Sequence, residues 1–355
     1  MGVALSGGLD SSTLLARAVA AGTTPHCFTA AFPDDEASAA EVEAAALVAR
    51  HFGVPHTVVP VESQDVTTAL LRPGLWDEPL AEIAVVPLNR VAAAAHSEGI
   101  SVLLTGEGSD EFFGGYRRFE QFRRLSRLRQ IPGPRVQRAL AVVAPPRTGR
   151  ALGSLGSPPR SLERYLWLIA NLVPRDASRL LGTSLPDLDL HLASWASSPF
   201  PFREVDALQL ETKVVLPELY LRKVDLATMA EGVEGRVPLV DVAFLSATFS
   251  KTPARGKNLL RSAMAATLPR EILTRREQGF GAPMDRWVRT VLRSDVEDIL
   301  ADAGNPIWSV LCRSAAQELW KHPTAWDAGH SGIFFAIYRW GRWGRWGRWA
   351  TGDTP

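Results

Sequence analysis

Seven residues near the start of the chain, Ser6-Gly7-Gly8-Leu9-Asp10-Ser11-Ser12, combine the backbone freedom and the side chains that binding an anion requires. Two adjacent glycines let the chain turn sharply and bring main-chain N–H groups close to a ligand. Where such a turn opens a helix, the unpaired N–H groups of the first turn and the helix dipole both favour negative charge. Ser6, Ser11 and Ser12 add hydroxyl donors, and one of the last two is expected to cap the helix. Asp10 would repel an anion unless a cation lay between them, so a phosphate-bound Mg²⁺ is implied. A plain helix cap after a flexible turn uses the same residue types, but it does not need the whole string. The Gly-x-x-x-x-Gly-Lys-Ser/Thr phosphate loop is absent.

A second string, Thr105-Gly106-Glu107-Gly108-Ser109-Asp110-Glu111, interleaves glycines and acids after another short apolar run and continues as Phe112-Phe113-Gly114-Gly115-Tyr116. In a parallel sheet the carboxyl ends of the strands form the ligand crevice, so the two strings should face each other. Asp10 and Asp110 would then take the Mg²⁺ from opposite sides. The first positions resemble a dinucleotide fingerprint, but Glu111 stands where the third glycine belongs, which argues against NAD.

The first string looks like the pyrophosphate loop of enzymes that split ATP between its α- and β-phosphates. That group includes asparagine, GMP, NAD and argininosuccinate synthetases and several tRNA-modifying enzymes. The second string resembles the second signature of the asparagine synthetases, which implies an adenine-nucleotide α-hydrolase-like fold. By this resemblance Leu5, Ser6, Gly7, Gly8, Asp10, Ser11, Ser12, Thr105 and Gly106 would bind ATP and its pyrophosphate, and Asp10 and Asp110 would hold Mg²⁺. Glu107 would lie beside an acyl-adenylate and assist amine attack; β-lactam-forming relatives carry tyrosine there. Two later stretches extend the likeness. Tyr220-Leu221-Arg222-Lys223-Val224-Asp225 with Val233-Glu234-Gly235-Arg236-Val237-Pro238-Leu239-Val240-Asp241 is similar to the family's helical signature, which places Asp225, Glu234 and Arg236 at the substrate pocket, largely through buried ion pairs. Lys257-Asn258-Leu259-Leu260-Arg261, followed by Gln278-Gly279-Phe280, resembles the segment whose mobile lysine reaches the phosphates of ATP, and that role falls to Lys257.

The implied activity is an ATP-dependent amide ligase that activates a carboxylate, aspartate first, as acyl-AMP and then admits ammonia or an amine. Three departures bear on the substrate: Leu226 and Glu277 replace basic residues common in the family, and Ala81-Glu82-Ile83-Ala84 replaces a more polar segment. A specialised-metabolite or peptide ligase resembling the lasso-peptide cyclases is therefore the alternative, and a tRNA-modifying enzyme the second. No cysteine follows Met1, so glutamine hydrolysis is expected to need a separate glutaminase subunit.

The elements that must position these residues alternate in an α/β pattern. Strands are predicted over residues 2–5, 26–32, 56–59 and 100–104, with helices over 11–21, 37–52 and 89–98. Residues 1–128 form the expected nucleotide domain, 129–160 a Pro-, Gly- and Arg-rich connector, 161–340 a helical substrate region and 341–355 a low-complexity tail of Gly-Arg-Trp repeats. No strand is predicted after residue 161. A hydrophobic share of 46% and a net charge of +1 fit a globular chain with no field to gather nucleic acid. Two cysteines and the lack of a long apolar run fit a cytoplasmic protein without a membrane span.

Overall fold

The computed structural model describes residues 1–33, 35–71, 79–130, 151, 153–169, 174–182, 201–248, 256–275, 282–321 and 328–350. The chain forms two compact units, one of Met1–Asp77, Glu82–Gly115 and Val215–Pro283, the other of Glu78–Ala81, Tyr116–Val214 and Met284–Pro355. Most of the connector, Glu277 and the Gln278-Gly279-Phe280 string lie outside the described residues.

In the first unit β1 (Gly2–Ala4), β2 (His26–Ala31), β3 (His56–Pro60) and β4 (Val102–Leu104) form where the apolar runs predict them. In β1, β2 and β4 the central side chains, Val3, Cys27, Phe28 and Leu103, are buried, as expected inside a parallel sheet, while β3 at the edge leaves Val58 exposed. A fifth strand, β5 (Glu234–Arg236), corrects the expectation that nothing after residue 161 joins the sheet. All five are parallel in the order β3-β2-β1-β4-β5, with Val102 opposite Glu234 and Leu104 opposite Arg236. Glu-Gly-Arg carries no apolar signal, so its pairing is decided by the backbone and by its neighbours. Glu234 N–H donates to Ser101 O at 2.8 Å, and Thr105 N–H donates to Arg236 O at 2.9 Å. With β5 in the sheet, residues 215–283, drawn from sequence into the helical region, cluster with the nucleotide domain.

The helices of this unit are α1 (Leu9–Ala20), α2 (Glu36–Phe52), α3 (Ser63–Leu71), α4 (Val85–Ser97), α5 (Ser109–Phe113), α6 (Arg222–Met229), α7 (Val242–Thr248), α8 (Asn258–Met264) and α9 (Arg270–Thr274). Asp35 caps α2 by accepting from Ala37 N–H at 2.8 Å, and Gly53 closes it at φ +64°, where glycine is strain-free. Helix α4 starts ahead of the predicted residue 89 because Pro87 sits in its first turn, where a missing N–H costs nothing. The cap of α1 is Gly8, not a serine: Ser11 and Ser12 lie inside the first turn, and no side chain caps it. Val3, Leu5, Leu15, Val48, Leu260, Met264 and Ile272 form one apolar core that joins β1 to α1, α2, α8 and α9. Elsewhere in the unit α4 packs against α6 and β2.

Among the described residues of the second unit the regular elements are all helices. Phe119, Phe122, Tyr165 and Phe202 make its aromatic core, beside which Arg118 pairs with the buried Glu211 at 2.7 Å and Tyr165 Oη donates to the same acid at 2.6 Å. The Gly-Arg-Trp repeat continues the last helix, Ala328–Ala350, rather than forming an irregular tail. Gly341 permits this, since a Cβ there would lie 2.8 Å from Ile299, and Arg342 pairs with Asp295.

Gly235 sets how closely β5 approaches α6: an added Cβ would stand 2.5 Å from Val224 and 2.8 Å from Thr228. Gly235→Val is therefore expected to lower unfolding free energy by about 2–3 kcal/mol, as overpacking does. A urea melt with an unchanged midpoint would show that β5 does not dock this way.

Candidate active site

The strand order places β2 and β3 on one side of β1 and β4 and β5 on the other, so the chain switches direction between β1 and β4. The loops leaving these two adjacent strands frame a crevice at their carboxyl ends. The first loop turns at Gly7, whose φ is +68° and whose Cβ would collide with the backbone of α2 at 2.5 Å from Ala45 N. Only glycine fits there. Ser6 N–H donates to Ser11 Oγ at 3.2 Å, and the two hydroxyls meet at 3.1 Å, which closes the loop onto its helix. Leu5 is buried with both main-chain groups engaged: its N–H donates to Phe28 O at 2.8 Å, and its carbonyl accepts from Thr29 Oγ1 at 2.5 Å.

The second loop lies against the first, for a Cβ on Gly106 would stand 3.1 Å from that of Asp10. Asp10 receives a partner at each oxygen. Ser109 Oγ donates to Oδ1 at 2.6 Å, and Lys257 Nζ donates to Oδ2 at 2.5 Å. The same ammonium lies 3.0 Å from Asp110 Oδ1. Lys257 thus ties together the two acids expected to hold a metal.

Lys257 is not the solvated, mobile lysine that a helical position suggests. Its side chain is 0% exposed, and the residue precedes α8 at φ +58°, a left-handed conformation costing about 1–2 kcal/mol for a side chain with a Cβ. Lys257 N–H donates to Phe113 O at 3.0 Å and Gly256 N–H to Gly114 O at 3.1 Å, so the backbone is pinned to the end of α5. Gly115 leaves room for the arrangement: a Cβ there would fall 2.0 Å from Asp110 Oδ1 and 2.3 Å from Lys257 Cε.

Between the loops is a cavity of about 190 Å³ with two kinds of lining residue. Phe28, Ala30, Ala84, Leu88 and Val91 give the lining its apolar part, and Ser6, Gly8, Asp10, Ser11, Thr105, Gly106, Glu107 and Asp110 its polar part. Thr105 Oγ1 is buried without a hydrogen-bond partner, as is Ser12 Oγ, and Thr105 reaches the cavity. Apolar side chains together with hydroxyls, loop amides and carboxylates suit a ligand that joins a base to metal-bound phosphates. Carboxylate oxygens are the usual Mg²⁺ donors, and a Mg²⁺ held by Asp10 and Asp110 would compete with Lys257 Nζ, which meets both acids in this structure.

Glu107 faces this cavity in a contact the sequence reading missed. Lys223 Nζ donates to Glu107 Oε1 at 2.6 Å, and both residues line the wall. Helix α6 buries Lys223, Val224, Ala227 and Thr228, a stripe at helical spacing that points Lys223 inward and leaves Asp225 exposed. That periodicity was legible and would have chosen Lys223 over Asp225. Glu234 and Arg236 do pair, at 2.7 Å, but with 52% and 62% of their side chains exposed rather than as a buried pair. Neither they nor Asp225 line the cavity.

Glu41, from α2, is the cavity residue with no sequence signal. Burial pushes its carboxyl up from an ordinary 4.5 to about 7, with Arg275 opposing and Asp35 adding to the rise. The folded chain therefore holds a proton that the unfolded chain releases between these values, so the Glu41 contribution to stability falls as pH rises from 4.5 through 7. Glu41→Gln should remove this slope: the variant gains on the parent in urea midpoint above pH 7 and matches it below pH 4.5. A parent-to-variant difference that does not change with pH would contradict this.

A sequence profile described as asparagine synthase matches residues 1–342. A putative glutamine-hydrolysing asparagine synthetase from Mycobacterium tuberculosis (strain ATCC 25618 / H37Rv) is 31% identical over 307 residues, covering 81% of this chain and 46% of the relative. Glutamine-hydrolysing asparagine synthetase 1 from Bacillus subtilis (strain 168) is 27% identical over 317 residues, covering 85% of this chain and 49% of the relative. A shorter match, 32% over 131 residues, joins 32% of this chain to 19% of the amidase chyE from Penicillium rubens (strain ATCC 28089 / DSM 1075 / NRRL 1951 / Wisconsin 54-1255). The chain thus spans about half the length of the two synthetases. With its parallel α/β sheet and adenine-nucleotide α-hydrolase-like fold, the chain belongs to the asparagine synthase family.

Proposed function

We propose that this chain is an ATP-dependent carbon–nitrogen ligase that activates a carboxylate as an acyl-adenylate and converts it to an amide. The observation that carries the reading is the junction of Asp10 and Asp110, both lining the cavity, with the buried Lys257 that pairs with each of them. The apolar lining would take the adenine, and the loop amides with Ser6, Ser11, Ser12 and Thr105 the phosphates. Asp10 and Asp110 would hold Mg²⁺, which would offset the charge of the departing pyrophosphate.

A carboxylate oxygen of the acid attacks the α-phosphorus, the bond to the bridging oxygen of the β-phosphate breaks, and pyrophosphate leaves with that electron pair. Charge gathers on the α-phosphate oxygens, where the Lys257 ammonium stabilises it. The amine nitrogen then attacks the acyl carbon, Glu107 receives the amine proton, and AMP leaves. Aspartate with ammonia is the first pair of substrates to test, the ammonia free or from a separate glutaminase subunit. Leu226 and the Ala81-Glu82-Ile83-Ala84 segment, where the family is more basic or polar, weaken the case for aspartate and make a specialised-metabolite or peptide ligase the second reading.

Acid-dependent exchange of labelled pyrophosphate into ATP separates the two halves. Lys257→Ala should reduce exchange by about 10²-fold or more, the usual loss on removing a transition-state charge. Glu107→Gln should keep much of the exchange and lose amide product, since the isosteric amide keeps shape but not basicity. Equal loss of exchange in both variants would move Glu107 into binding or adenylation.

A further inference from the structure

Lys223 carries a charge in a place that charge alone would avoid. Its side chain is 7% exposed, and its ammonium meets Glu107 Oε1 at 2.6 Å on the cavity wall. Burial pulls its pKa down, but the charges of Glu107 and then Glu82 more than offset this, and the lysine is raised above its usual value. The acid in contact with this buried cation is Glu107.

A buried ammonium needs a counter-charge, because removing one partner of a buried pair is strongly destabilising. The same contact fixes where the Glu107 carboxylate stands on the cavity wall. We propose that Lys223 is the positioning residue for Glu107 in the amide-forming step. The inference rests on the reading of Glu107 as proton acceptor. The proton travels from the amine nitrogen to the Glu107 carboxylate and then to water, which reaches the 27%-exposed side chain; Lys223 gives up none.

The test is a double-mutant cycle between Lys223→Met and Glu107→Gln, with Lys223→Arg as the conservative variant, read by amide formation, pyrophosphate exchange and urea midpoint. Displacing a catalytic group by about an ångström costs on the order of 10²-fold. Lys223→Met should therefore lower amide formation by about 10²-fold and exchange at least ~10-fold less than that. Lys223→Arg should restore a large part of the loss, since it keeps a charged donor. In the Glu107→Gln background, Lys223→Met should add less than about twofold, the mark of residues acting as a unit. Equal loss of exchange and amide, or an undiminished loss in the Glu107→Gln background, overturns the proposal. The urea midpoints decide the pairing without turnover: Lys223→Met must cost more beside Glu107 than beside its glutamine variant, and equal costs overturn the coupling. Absence of acid-dependent exchange in the unaltered chain would instead count against the ligase reading, leaving the stability cycle to judge the pair.

Discussion

One buried ammonium ties together three stretches far apart in the chain. Lys257 joins the loop after β1 through Asp10 and the loop after β4 through Asp110, and its own backbone is pinned to the end of α5. A lysine with no solvent exposure is tolerable only because two carboxylates face it, and removing one partner of such a pair costs about 3–5 kcal/mol. Much of the local geometry follows from accommodating that side chain. Gly115 lacks a Cβ where one would strike both Asp110 and the lysine, and Lys257 accepts a left-handed backbone. Ser109 engages the oxygen of Asp10 that the lysine leaves free.

The placement of this cluster is dictated by the sheet. Parallel strands put their carboxyl ends on one edge, and the reversal of order between β1 and β4 opens a gap there. Helices α1 and α5 begin beside that gap, while α4 supplies an apolar wall through Leu88 and Val91. Acids that would repel one another in isolation are thereby collected around two lysines, one at each of two functions. Lys257 serves the acids that would face the metal and phosphates, and Lys223 serves Glu107, where the acyl group would be met.

The parts of this arrangement legible in the sequence are those with a local physical signature. Apolar runs announced β1 to β4, and the glycine-rich strings announced both loops, because turns and close approaches restrict residue types severely. Strand β5 was illegible: Glu-Gly-Arg has no β-pattern, and its place is set by hydrogen bonds to Ser101 and Thr105 more than a hundred residues away in the chain. The serines of the first loop suggested a cap, yet the helix starts earlier, at Leu9, and the hydroxyls are turned to other uses. Charged positions taken from family likeness were sorted only by burial. Helix α6 turns Lys223 in and Asp225 out, and β5 leaves Glu234 and Arg236 on an exposed face. Glu41 offered nothing to read, since its importance comes from the cavity that other elements close around it.

The proposed adenylation requires the acid's own oxygen to become bonded to the α-phosphorus at this site. Incubating the chain with ATP, Mg²⁺, an amine and an acid labelled with ¹⁸O in its carboxylate tests it directly, by mass spectrometry of the nucleotide product. An acyl-adenylate passes one carboxylate oxygen to the nucleotide when the amide forms, so AMP carrying a single ¹⁸O is the predicted result. Label in inorganic phosphate with ADP as co-product, or AMP without label, would contradict the account.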